Sequence, residues 1–264
     1  VADTLTFSAG DTYIATGILT LNGDISNLLS LRSSSAGSQW YIDYGSKSVS
    51  HLDVKDSNNI NAVAISCTGQ CLDSGNNTNW SIVTTYLTMS GTLYTNEGVT
   101  PGTSGKTIKI AVGTSTPSVH STTTASGGVW QISNILDFYL STTTPLTVWL
   151  DGDANDATTM VIGYSGSSIT SVPLYYGYTV VNATTSNTSL DVDSFSFYDS
   201  TDDADILYTV TGTSTIVNSN FLVRQGNFIA PSSTMIISGN FKNSNTFDAN
   251  EGEVILTGSS KTID

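Results

Sequence analysis

The residues best able to do chemistry in this chain are acidic, and they gather in three places. The first is "HLDVKDS", where His51, Asp53, Lys55 and Asp56 lie a short way after Asp43. Glycoside hydrolysis needs two carboxylates facing one groove, and here acid, base and cation are all present. A plain turn accounts for the same letters, because Asp caps backbone amides and Lys solvates an exposed corner. The second is "DGDANDATT", which spaces Asp151, Asp153, Asn155 and Asp156 as oxygen ligands in the manner of an opening calcium loop. It lacks the glycine and the closing glutamate of the helix–loop–helix calcium motif. The third is "DSTDDADI", with Asp199, Asp202, Asp203 and Asp205. Carboxylates crowded this closely repel one another, so a cation has something to relieve. Calcium is the one cofactor the sequence suggests.

Cys67 and Cys71 are the only cysteines. Zinc asks for four ligands, and two distant histidines, His51 and His120, do not complete such a set. A short local disulfide is the expectation, in keeping with an oxidising compartment. The two histidines fall in different expected segments and neither sits near a nucleophile motif, so no hydrolytic triad is expected. Glycosylation sequons begin at Asn76, Asn79, Asn182 and Asn187. Tyr175, Tyr176 and Tyr178 could stack on a sugar or pack at a junction between domains.

The elements that must position these groups read as strands. Short alternating runs recur about every ten residues, among them "ILTLNG", "NLLSLRS", "QWYIDYG" and "AVAISC", separated by Gly, Ser, Asn or Asp. No window carries the 3.6-residue apolar period of a helix. Only 11% of the 264 residues are charged, against roughly 25% in ordinary soluble proteins. Thr, Ser, Asn and Gly make the polar surface instead. The net charge of -14, with 8 Lys and Arg, excludes a nucleic-acid footprint. No apolar run is long enough for membrane insertion as a helix. The chain opens on "VADTLTF", with no Met and no signal peptide, and closes on strand-like text. A processed product or a segment of a longer chain is expected.

Residues 14–82 carry a specific pattern: "GDISNLLSLRS", then "QW", then "LDVKDS", then "DSGNNTNW". It resembles a repeat of very large Thr/Ser/Asn-rich bacterial surface proteins. That resemblance implies a parallel β-helix-like module in an exported, multi-modular chain, with no enzyme activity. The cysteine positions usually hold other residues in that repeat, so the pair reads as a local addition. Leu19, Leu21, Leu29, Leu31, Ile42, Leu52, Val54, Val63 and Ile65 are the expected inward stack. "NTFDANEGEVILTGSSKTI" resembles a repeat that follows such modules, with Phe195, Ile216, Phe221, Phe228, Ile236, Phe241, Phe247, Val254 and Leu256 among those expected inward.

Between them, "SGTLYTNEGVTP", "IKIAV" and "TTTASGGVWQISNI" resemble a transthyretin-like or carboxypeptidase-regulatory β-sandwich, the last piece as a hairpin. Its expected core includes Ile108, Ile110, Val112, Val129, Trp130, Ile132, Leu146, Val148 and Leu150. Such domains serve as spacers or binding modules. Some relatives hold a Lys–Asn isopeptide bond promoted by an acid, for which Lys106, Lys109, Glu97 and Asn134 offer the groups. The expectation is therefore an all-β chain: β-solenoid-like segments at residues 1–83 and 181–264 flanking an Ig/transthyretin-like β-sandwich at 84–180. Its expected role is a non-enzymatic structural unit of an extracellular surface protein, self-associating or joined to neighbouring modules, and assembling into a filament or coat. A glycan-binding adhesin module is the alternative, and a polysaccharide-degrading β-helix enzyme is the third.

Overall fold

The computed structural model describes residues 3–24, 27–67, 71–82, 86–113, 118–136, 140, 142–164, 168–186 and 188–264. The chain is all-β, with 26 strands and a single four-residue α-helix among the described residues. Two compact units form, one on Val1–Tyr86 and one on Leu87–Ile135 with Leu140–Asp264.

In the first unit the strands pair in parallel, and all but Thr12–Asn22 and Trp40–Ser50 are five residues or shorter. Thr4–Phe7, Leu29–Ser33, Leu52–Val54 and Leu72–Asp73 make one sheet. Thr12–Asn22, Trp40–Ser50 and Ser57–Asn59 make a second, and Ile65–Cys67 with Trp80–Ile82 a third. The registers set like over like: Leu5 beside Leu31, Leu31 beside Val54, Leu29 beside Leu52. One-residue slips would turn every side chain over, so the alternating pattern holds the register. Leu31, Trp40, Ile42, Leu52, Val54 and Ile65 are buried, and the Phe7 ring stacks on Trp40 with centroids 3.8 Å apart.

The corners belong to Asn and Asp. Asp56, Asn76 and Asn79 take left-handed backbone, which these residues tolerate better than other non-glycine types. The Asn77 amide donates to the Val54 carbonyl at 2.8 Å, and the Asn59 amide to the carbonyls of Val63 and Asn79. Val63, expected inward, is 64% exposed. Its backbone N–H and carbonyl are both claimed by this corner network, through Asn61, Asn59 and Tyr44, which leaves its side chain outside.

The second unit begins as two sheets. Val129–Leu136, Tyr86–Tyr94 and Ile169–Tyr175 form the smaller one. The larger has seven strands in the order Ser118–Thr123, Thr107–Val112, Leu146–Asp151, Thr158–Val161, Tyr178–Asn182, Asn220–Gln225 and Phe241–Asn243. The expected core is buried, Val129 excepted at 50% exposure. Gly91 allows the two strands and Trp130 to close together: a Cβ there would meet the Val172 carbonyl oxygen at 1.9 Å and the indole at 2.6 Å. "TTTASGGVWQISNI" is not a hairpin; its first strand pairs in the larger sheet and its second in the smaller, with a 3-10 turn at Ser126–Gly128 between them.

The boundary expected at residue 180 falls inside Tyr178–Asn182. That strand pairs in parallel with Thr158–Val161 on one side and Asn220–Gln225 on the other. Trp149 and Met160 share one buried cluster with Phe195, Phe221 and Phe228, so the middle and last segments have a common core. Beyond it the rungs are regular: Phe221 lies beside Phe241, Phe228 beside Phe247 and Met235 beside Val254, steps of 20, 19 and 19 residues. Phe221–Phe241 and Phe228–Phe247 are stacked ring pairs.

Two expected inward positions are displaced by one residue. Thr215 and Val217 are buried where Ile216 was expected, and Met235 and Ile237 where Ile236 was expected; the two isoleucines are half-buried. Runs such as "TMII" offer an apolar residue on either face, and the rung neighbours decide. Phe195 is buried, but in the helix Val192–Phe195, capped by the Asp191 carboxylate, rather than in a strand. We expect Ile237→Ala to cost about 2–5 kcal/mol and Ile236→Ala about 1 kcal/mol, measured by urea denaturation; equal costs would contradict this register.

Candidate functional site

The two acidic loops, read separately in sequence, converge. Carboxylate oxygens of Asp151, Asp203 and Asp205 lie within 4.8 Å of one another. Asp151 ends a strand of the larger sheet, while Asp203 and Asp205 sit in the turns after the Val192–Phe195 helix. A cation is already there. Lys109, projecting from the neighbouring strand Thr107–Val112, reaches Asp151 Oδ1 at 2.7 Å and Asp203 Oδ2 at 3.3 Å. Its ammonium also lies 5.9 Å from the centre of the buried Trp149 ring. Hydrogen bonding to Asp151, then to Asp203, holds the Lys109 ammonium above its ordinary range despite partial burial. Asp205 accepts the Gly152 N–H at 2.6 Å.

The other members of the predicted loops point elsewhere. Asp153 pairs with Lys106, which lowers its pKa, and it also accepts the Asn155 N–H. Asp156 is raised by burial, then by Asp205 and Asp153. Asp199, 4% exposed, is a turn anchor: it accepts from Thr201 N, Thr201 Oγ1 and Val210 N. Asp202 accepts the Asp199 N–H. The arrangement is a carboxylate triad of which Lys109 pairs two members, with caps around it, and calcium binding there has to compete with the Lys109 ammonium.

The carboxylates singled out for hydrolysis do not act as a group. Asp53 pairs with Arg32 and accepts the Ser74 hydroxyl. Asp43 accepts from Tyr44 N and Asn61 Nδ2 at 2.8 Å each. Asp56 is buried and accepts from Asn76 Nδ2 at 2.7 Å and Gly37 N at 3.1 Å. The Asn76 bond is the main cause of its lowered pKa. Each carboxylate is committed to its own corner. His51 contributes left-handed backbone and a carbonyl that accepts the Leu29 N–H. His120 is shifted down by burial, with Ser118 Oγ 3.3 Å away.

Cys67 and Cys71 stand at disulfide distance, with Cα atoms 6.1 Å apart, and both are buried in the first unit's core. Among the sequons, Asn76 and Asn79 spend their amide nitrogens on corner bonds, and Asn182 is 6% exposed. Asn187 lies outside the described residues. Lys106, Lys109 and Glu97 are all in ion pairs, Glu97 with Lys242 at 2.5 Å, and the Asn134 side chain lies outside those described. Tyr175 is buried, against Tyr94 and Tyr178. The convergence of Asp151 and Asp203 on Lys109 was not legible in sequence, because nothing local relates positions 94 apart. No family model, curated protein or solved structure matches the chain.

Two measurements check these assignments. Lys109→Met leaves three carboxylates together uncompensated. We expect a loss of about 1–2 kcal/mol that about 5 mM calcium partly restores, while wild-type melting stays insensitive to calcium. A wild-type gain as large as the variant's would contradict the lysine's role. Asp56 has a lowered folded pKa, so its stabilising effect is present above pH 3.8 and fades as pH falls through the folded value. Asp56→Asn is expected to cost about 1–2 kcal/mol at neutral pH, and the difference from wild type should vanish in acid. A difference that stays constant with pH would refute it.

Proposed function

We propose that this chain is a structural module of an extracellular surface assembly, joined edge to edge to a neighbouring module or to a second copy. One observation carries the reading. Thr12–Asn22 is an eleven-residue strand at the edge of its sheet, paired among the described residues on one side only, to Trp40–Ser50. Its sequence, "TYIATGILTLN", has no charge and no proline. Natural edge strands of this length are guarded by those devices, because free N–H and C=O groups recruit other strands. One bulge at Thr16–Gly17 interrupts the ladder, but Ile14 and Ile18 remain 69% and 71% exposed. Such an edge suits strand addition, in which backbone bonds give affinity and alternate side chains give selectivity.

Other features support the same reading. The charged fraction of 11% leaves neutral polar faces that can approach without desolvating ions. The Cys67–Cys71 pair suits an oxidising, exported setting. The carboxylates with the best catalytic spacing are each occupied as corner acceptors.

The double variant Ile14→Lys with Ile18→Lys places two charges on the exposed edge. Electron microscopy and sedimentation at neutral pH are expected to find ordered assemblies of the wild-type chain and dispersed particles of the variant. Wild-type particles that stay dispersed at every concentration tested would sink the proposal, as would a variant that assembles equally well.

A further inference from the structure

The chain has two arginines. Arg32 pairs with Asp53. Arg224 has no carboxylate within ion-pair distance among the described residues, although acids outnumber bases 22 to 8. An exposed guanidinium in so acidic a chain would ordinarily find one. Its position is also irregular. Val181 pairs with Val223 and Asn182 with Gln225, so Arg224 is the extra residue of a β-bulge. Bulges re-aim side chains, and they concentrate beside binding sites.

A second bulge meets the first. On the strand Ile169–Tyr175 of the smaller sheet, Met89 pairs with Ile169 and Gly91 with Val172, so Thr170 and Ser171 stand against one residue. Ser171 takes a φ of 62°, which costs a non-glycine residue about 1 kcal/mol or more. Both bulges line one cleft of about 330 Å3, together with Tyr164, Asn182 and Gln225. Ser171 and Arg224 also line an adjoining lobe of about 160 Å3, walled by Tyr94 and Tyr175. The cleft is of ligand size.

The polar groups around it are neutral. Arg224 donates to Asn182 Oδ1 at 2.5 Å and lines the adjoining lobe beside Tyr175. The Asn182 bond holds the guanidinium and leaves further N–H donors of its five. Thr170 and Ser171 are exposed, and neither hydroxyl bonds another described residue. One fixed cation, a rim of free hydroxyls and a tyrosine-walled lobe match a ligand with one carboxylate on a polyhydroxylated ring. A nucleic acid or other polyanion is repelled by the net charge of -14. A bare carboxylate or phosphate leaves the rim unused.

We propose that the cleft between these two bulges binds a saccharide carrying a single uronic acid, with Arg224 taking the carboxylate and Thr170, Ser171 and Gln225 taking ring hydroxyls. The carboxylate bond is charge-assisted and planar, which favours arginine over lysine. This proposal does not rest on the edge-strand reading.

The test is an NMR or calorimetric titration of the full chain, in chelator so that the acidic loops do not contribute. The probes are xylobiose bearing one glucuronate, neutral xylotriose, acetate, inorganic phosphate, and a short peptide ending in a free carboxylate. The proposal predicts binding of the glucuronate probe alone, weakened about tenfold or more in Arg224→Gln. A few-fold weakening is expected in Ser171→Gly, which suits the left-handed backbone and removes only the hydroxyl. Melting temperatures of both variants are compared with wild type to confirm folding. Absence of glucuronate binding overturns the proposal. So does equal affinity for xylotriose, acetate, phosphate or the peptide, or unchanged affinity in folded Arg224→Gln.

Discussion

The structure depends on parallel stacking of strands too short to stand alone. Leu52–Val54, Ser57–Asn59 and Ile65–Cys67 are three residues each. Each takes its ladder hydrogen bonds from the rungs beside it, and Leu52, Val54 and Ile65 bury their side chains in one cluster shared with neighbouring rungs. Stability in such a stack is a sum of nearest-neighbour terms. A rung inside the stack is satisfied on both edges, and a rung at its limit is satisfied on one. That asymmetry links the core to the surface: the regularity that buries Leu31, Leu52 and Val54 also leaves Thr12–Asn22 with a free ladder edge.

Corners make the stacking continuous. A chain that turns every few residues must satisfy backbone groups at each bend, and here short amides and carboxylates do it. Asn59, Asn61, Asn76, Asn77 and Asn79 bond carbonyls and carboxylates across rungs. The acids follow the same economy. Asp43, Asp53, Asp56 and Asp199 accept bonds from nearby donors, and where three carboxylates converge Lys109 pairs with two of them. A group fully engaged in holding a turn is poorly placed to move protons or bind a metal. Arg224 departs from this pattern: a bulge displaces it, and no acid among the described residues pairs with it.

Much of the fold was legible because strand periodicity is local. Ile108, Ile110, Leu146, Val148 and Leu150 alternate plainly and are buried as read. Asn/Asp-rich stretches marked corners for the same reason. Errors arose where two faces were equally apolar, as at Ile216 and Ile236, or where corner bonds overrode hydrophobicity, as at Val63. The shared sheet across residue 180 and the meeting of two acidic loops are long-range pairings, which no window of sequence contains. The Arg224 cleft was hidden likewise, since a bulge is defined by the partner strand's count and not by its own letters.

The proposed role of the Thr12–Asn22 edge is one that amide hydrogen exchange reads directly. At low concentration, amides of this strand that do not face Trp40–Ser50 are expected to exchange fast, while Trp40–Ser50 and Leu52–Val54, inside the stack, stay protected. Raising the concentration until assemblies form should slow exchange selectively in Thr12–Asn22. Protection confined to other segments, or no change on assembly, would contradict the account that this edge joins one module to the next.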